Sequence, residues 1–203
     1  APYFRESLRQ EVSKLLKDKD KEGDYRFAKK DGTPYNIYRD GLKIYTTINT
    51  SLQEKAEAAV VKHLSGIDPL NKNAKQVPSL QEKFDRNNRG LRRFPFSNTL
   101  KKSTVESILK RAQRSSARYY AMKRSGLSPE EIDMTFQKPT PMKIFSWKGE
   151  IDTVMTPADS IKYYKSFLHT GLISVDPATG FVKAWVGGAN FKHFAYDHAR
   201  QGK

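Results

Sequence analysis

Apolar residues recur every three or four positions at Phe4, Leu8, Val12 and Leu15/Leu16, which predicts an amphipathic helix at the start. Pro2 is compatible with its first turn. From Asp18 to Gly32 the pattern gives way to charge, and a solvated loop or hairpin tip is expected there. Tyr35, Ile37, Leu42 and the run Ile44–Ile48 are β-formers and read as extended, with a turn at Asp40-Gly41. A second helix follows, with a capping box at Thr50-Ser-Leu-Gln53. Its apolar face is Leu52, Ala56, Ala59/Val60 and Leu64, and Gly66 suits its C-terminal cap.

Residues 66–102 show little periodicity and many turn formers, and read as an irregular basic excursion. Helix is expected again from a capping box at Ser103-Thr-Val-Glu106, with Val105, Ile108/Leu109 and Ala112 on one side. The pattern runs on through Tyr119, Tyr120 and Met122 to Gly126. Ser128, Pro129 and Glu131 mark the start of a short helix. After Pro139 and Pro141 the style changes: Met142–Trp147 and Glu150–Met155 flank Lys148-Gly149 as a hairpin. Thr156-Pro157-Ala-Asp159 opens a helix through Leu168, ended by Gly171. Leu172–Asp176 and Phe181–Val186 form a second hairpin around Pro177-Ala-Thr-Gly180. No internal repeat is evident. The class is α+β, with helices packed on short antiparallel sheets. Strand 42–48 is expected to pair with the 142–155 hairpin. The 172–186 hairpin is expected to pair separately, leaving an edge open to pairing between molecules.

Composition excludes several classes. The 203 residues include 11 Phe, 10 Tyr and 2 Trp, enough core material to argue against disorder. Mean hydropathy is −0.74, and no apolar run approaches the roughly 18–20 residues of a membrane span. Cys is 0, which removes disulfides and thiolate metal sites and leaves the redox compartment open. The formal net charge is +15, and its distribution is uneven: residues 72–125 carry net +12, against +2 before and +1 after. Such a segment attracts nucleic acid, anionic lipid or acidic polymers.

The candidate chemistry is sparse. His63, His169, His193 and His198 form no metal-binding spacing and read as solvated. There is no GxGxxG and no GxxxxGK[ST]. Gly187-Gly188 reads as a bulge or a close backbone approach at a strand end. Ser107-Ile-Leu-Lys110 is a literal S-x-x-K, but Ser-x-Asn and Lys-Thr-Gly do not follow it, and it reads as a chance match. The basic stretch remains. Arg86, Arg89, Arg92 and Arg93 alternate with Phe84, Phe94 and Phe96, a mixture that suits single-stranded nucleic acid. Lys101, Lys102, Arg111, Arg114 and Arg118 continue it onto helix. These nine residues are the candidate anionic-surface site, weighed against an ordinary solvated helix face.

Gly41-Leu-Lys-Ile-Tyr-Thr-Thr-Ile-Asn-Thr-Ser-Leu-Gln53, followed by Ala56-Glu-Ala-Ala-Val60, resembles the segment after the glycosyltransferase domain of class A penicillin-binding proteins. There a strand reading G-L-x-[IV]-x-T-T-[IL]-[DN] leads into a helix reading L-Q-x-x-A-E-x-A-[VL]. Ala1–Val12 is similar to the stretch just before it. Gly171–Gly188 looks like the first hairpin of the transpeptidase domain, and Tyr196-Asp197, Ala199 and Gln201 fit the approach to its active-site helix.

The resemblance covers 1–65 and 141–203. It implies an interdomain linker at 1–65, a basic insertion at 66–140, the return of the linker hairpin and helix at 141–170, and the start of the transpeptidase domain at 171–203. It further implies a bifunctional parent that polymerises glycan strands and cross-links stem peptides by serine acyl transfer. That parent would stand at the extracytoplasmic (periplasmic) face of the bacterial cytoplasmic membrane, anchored through a helix outside this chain. The family's S-x-x-K would fall past Lys203 and its glycosyltransferase glutamates before Ala1, so no catalytic residue maps here and no cofactor is expected. The implied partners are the parent's two catalytic domains, with anionic lipid or acidic cell-wall polymer for the insertion. The alternative is a free-standing binding module whose basic segment contacts nucleic acid.

Overall fold

The computed structural model describes residues 1–71, 73–89 and 100–200, with the side chains of 88 and 89 outside that description. The chain forms two compact units: 1–61, 68–72 and 169–203 make the first, and 62–67 and 73–168 the second. Among the described residues the class is α+β, with seven helices and two antiparallel two-stranded sheets.

The first unit contains α1 (Pro2–Leu15), most of α2 (Thr50–Ser65), β3 (Leu172–Val175) and β4 (Val182–Val186). β3 and β4 pair in the register Leu172↔Val186, with an irregularity at Ser174/Val175. The buried apolar side chains of this unit are Tyr3, Leu16, Ala58, Val60, Ala184 and Val186. α1 packs against β4, with the Phe4 and Trp185 rings 6.3 Å apart.

Residues 42–49 belong to neither sheet, contrary to the strand expected there. Thr47 Oγ1 donates to Val182 O at 2.7 Å and Asn49 N to Lys183 O at 2.9 Å, so the segment meets β4 rather than the 142–155 hairpin. The capping box expected at Thr50–Gln53 is also absent. Asn49 takes the cap position, its Oδ1 accepting from Leu52 N at 3.1 Å, which releases the Gln53 amide for another task.

The second unit holds α3 (Leu80–Arg89), α4 (Lys102–Arg114), α5 (Ala117–Arg124), α6 (Pro129–Phe136), the hairpin β1 (Thr140–Ser146) and β2 (Gly149–Met155), and α7 (Pro157–Lys165). Its buried apolar side chains are Leu64, Val105, Ile132, Phe136, Ile144 and Phe145. The expected helix through 103–126 is broken at Ser115-Ser116, where the Ser116 side chain caps α5 by accepting from Tyr119 N. The Ser103 box is not formed: Lys101 caps α4 with no side-chain hydrogen bond. The Ser128 box is formed, with both reciprocal bonds to Glu131, and Thr156 caps α7 by accepting from Asp159 N. The Ser128 backbone N–H holds the Glu131 carboxyl below the usual carboxylate range. Its contribution is therefore present above the unfolded value and lost as pH falls through the folded one.

The β1–β2 hairpin has a complete register, Thr140↔Met155 to Ser146↔Gly149. Its Phe145 peptide is engaged on both sides by α7: Phe145 N donates to Tyr164 Oη at 3.0 Å and Tyr163 Oη donates to Phe145 O at 2.7 Å. This leaves no room at Phe145 for a third strand. Phe145, Trp147, Tyr163 and Phe167 stack edge to face around this contact. Gly66 closes the second unit at its start. Its φ is +75°, and a Cβ there would overlap the Val77 carbonyl, so only glycine fits the turn.

Candidate functional site

The basic surface is built chiefly by α4. Between 101 and 124 the chain has eight Lys and Arg and one acidic residue, Glu106. Val105 is buried and Ile108, Leu109 and Ala112 are half-buried, and these spacings define the inward face. Positions 103, 107, 110, 111 and 114 recur at threes and fours on the opposite face, and Ser103, Ser107, Lys110, Arg111 and Arg114 are all exposed. Among the described residues none of these three cations has an acidic partner within salt-bridge distance.

The helix dipole accounts for part of this charge. Arg111 and Arg114 lie in the last turn of α4, where cations complement the negative end by about 0.3–1 kcal/mol each. Lys101 and Lys102 stand at the other end, which has no acidic residue in its first turn, and there the same term is unfavourable. Only Lys102 has compensation, a 3.9 Å approach to Glu106.

The other expected site residues divide. Arg86 is exposed on α3. The Arg89 side chain, Arg92, Arg93 and the neighbouring Phe94 and Phe96 lie outside the described residues. Arg118 does not belong to the solvent face: it is half-buried, its guanidinium lies 6.0 Å over the Phe136 ring, and its Nε is buried without a hydrogen-bond partner. Its role is packing, with a cation–π contact in place of a hydrated charge. Ser107 and Lys110 are both exposed to solvent, so neither burial nor an enclosing site prepares that pair for nucleophilic chemistry.

In the first unit, chemistry-bearing residues gather around the end of β4. Asp197 accepts from Trp185 Nε1 at 2.9 Å and from Ala199 N at 3.0 Å, and His198 N donates to Gly187 O at 2.8 Å. Gly187-Gly188 is a close approach, as expected: a Cβ at 187 would overlap the Asp197 carboxylate, and one at 188 would meet Tyr3 Oη at 2.5 Å. Tyr3 Oη donates to Phe194 O at 2.6 Å, and burial pushes this phenol up to about 12, so it remains a donor. The His169 and His198 rings stack at 4.7 Å. Burial lowers the His198 imidazole, with Asp197 pulling the other way. Arg200 reaches Glu11 Oε1 at 2.7 Å and Gln10 Oε1 at 2.8 Å. Gln201 lies outside the described residues. No group of three metal-ligating side chains occurs among the described residues.

Two glutamines carry structural work that the sequence reading did not assign. Gln53 Nε2 donates to Trp185 O at 2.9 Å while Trp185 N donates to Gln53 Oε1 at 2.8 Å, so the amide pairs with β4 as a strand residue would. In the second unit Gln81 Nε2 donates to Ser166 O at 3.0 Å and Leu168 N donates to Gln81 Oε1 at 2.9 Å. Both are buried, and each amide also donates to a carboxylate four residues on, Glu57 and Asp85 respectively. The signal was present: Ser-Leu-Gln-Glu-Lys occurs at 51–55 and again at 79–83, a short internal repeat contrary to the reading above. The second copy also starts α3, with Ser79 Oγ accepting from Glu82 N at 2.9 Å.

A family model described as the penicillin-binding protein middle domain matches residues 92–168. This stretch, less than half of the chain, is similar to the middle domain of penicillin-binding proteins. The match lies within the second unit and runs across residue 140, joining part of the segment read as an insertion to the hairpin and helix that follow it. Comparison with curated proteins and with solved structures gives no match. No helix among the described residues is long and apolar enough to cross a membrane.

Proposed function

We propose that this chain is the non-catalytic middle portion of a bifunctional peptidoglycan synthase, whose parent polymerises glycan strands and cross-links stem peptides by serine acyl transfer. The observation that carries the reading is the middle-domain match at 92–168, within a unit whose two flanks fold together as one body. On this reading the first unit is a joint between two catalytic domains. Its stiffness comes from the Gln53–Trp185 pairing, the Tyr3 bond to Phe194 O and the Arg200–Glu11 ion pair, which fix α1, α2, β4 and the 189–200 segment to one another. The Trp185–Asp197 contact then sets the direction in which the chain leaves β4 towards an active-site helix. The partners are the parent's glycosyltransferase and transpeptidase domains, and this portion needs no cofactor. The parent stands at the extracytoplasmic face of the cytoplasmic membrane, in the periplasm, anchored by a helix outside these residues.

The reading frame of the gene tests this. An S-x-x-K is expected within about a dozen codons of Lys203, followed later by Ser-x-Asn and Lys-Thr-Gly. A stop codon at that point contradicts the proposal and favours a free-standing module.

A further inference from the structure

We propose that the solvent face of α4, carrying Lys110, Arg111 and Arg114, is an electrostatic docking surface for an anionic lipid bilayer. The inference goes beyond the proposed function and stands on the placement of charge alone. Lys110, Arg111 and Arg114 are exposed on one flank of one helix and have no acidic partner among the described residues, so no internal ion pair has to break on docking. Ser103 and Ser107 on the same flank add hydroxyl donors suited to phosphate oxygens. Lys101 and Lys102 extend the charge to the helix end where the dipole disfavours it, a local cost that an external anion would offset.

The shape of the surface selects the occupant. Arg111 and Arg114 lie on the open flank of the helix, and the hollow that Lys110 borders is also lined by the carboxylates of Glu106 and Asp133, whereas proteins that bind single strands use a positively charged groove with exposed aromatic rings for stacking. The positions 103, 107, 110, 111 and 114 hold no aromatic residue. The apolar side of α4 is turned inward, with Val105 buried in the unit's core, so the helix cannot insert. Docking is therefore peripheral, reversible and sensitive to salt. With Lys101 and Lys102 the helix presents five cations, within the roughly four to eight that bind anionic headgroups, at a strength that decays within a Debye length.

Cosedimentation of the 203-residue chain with vesicles tests the proposal, comparing phosphatidylcholine alone with phosphatidylcholine containing about 30% phosphatidylglycerol. Binding is expected to rise with the anionic fraction and to fall steeply between about 50 and about 300 mM salt. The variant Lys110→Gln, Arg111→Gln, Arg114→Gln is expected to lose about ten- to a hundredfold in partitioning. Lys17→Gln, Lys21→Gln, Lys30→Gln removes the same charge from exposed positions of the first unit and is expected to bind as the parent chain does. Arg111→Lys with Arg114→Lys is expected to retain binding, and circular dichroism checks that each variant keeps its helices. Equal binding to both vesicles, no binding at low salt, or equal losses in the two triple variants overturns the proposal. So does tighter binding to single-stranded DNA or to a soluble phosphodiester polymer than to the anionic vesicles.

Discussion

Phe136→Ala is expected to destabilise the second unit by about 3–5 kcal/mol, the usual cost of deleting a buried phenylalanine ring. Phe136 is 1% exposed and Ile132, one turn before it on α6, is 0% exposed, so the ring has no route to solvent that would soften the loss. The Arg118 guanidinium lies over that ring with its Nε already unpartnered, and removing the ring leaves a half-buried cation above a cavity. That second effect places the result towards the upper end of the range. Domain stabilities are about 5–15 kcal/mol, so a large fraction is at stake. Trp147 lies in the second unit and Trp185 in the first, and the chain has no other tryptophan. Urea unfolding followed by Trp147 fluorescence in a Trp185→Phe background therefore reads the second unit alone. A loss below about 1 kcal/mol, ordinary for a surface change, would show that Phe136 is not its core.

Gln53→Leu is expected to cost about 2–6 kcal/mol in the first unit, because it leaves the Trp185 N–H and C=O without their partners at about 1–3 kcal/mol each. Leucine fills nearly the same volume, so packing contributes little. Gln81→Leu is expected to cost a similar amount in the second unit through the Ser166 carbonyl and the Leu168 N–H. Gln53→Glu separates donor from acceptor: it keeps an acceptor for Trp185 N–H but sets a carboxylate against Trp185 O and near Glu57. That carboxyl would titrate above its usual range, so stability should be poorest near neutrality and recover as pH falls. Trp185 fluorescence in a Trp147→Phe background follows the first unit. Unchanged unfolding in Gln53→Leu would show that the amide pairing is incidental.

The parts of the fold that were legible in the sequence are those set by neighbours along the chain. The 140–155 and 172–186 hairpins need only alternation and a turn, and the caps at Ser128 and Thr156 need only residues three apart. The errors lie where a distant partner decides. Thr50–Gln53 has the letters of a capping box, but Asn49 caps α2 and β4 claims the glutamine. The 42–48 run has β-forming residues, yet it meets β4 through two bonds instead of entering a sheet. α3 was missed because Leu80 and Phe84 are almost its only apolar residues; the Ser79–Glu82 cap was the usable signal. For the candidate surface, charge was legible and geometry was not. The sequence placed Arg118 with the exposed cations, and only the packing of α5 against α6 sets it over Phe136.

The most direct measurement is covalent labelling by a fluorescent penicillin, run in parallel on the full-length protein that contains these residues and on the 203-residue chain alone. A middle portion without a nucleophile predicts a labelled full-length protein and an unlabelled chain, since acylation needs the S-x-x-K serine with its companion motifs. A penicilloyl adduct on Ser107 of the isolated chain, or a full-length protein that takes no label, would contradict it.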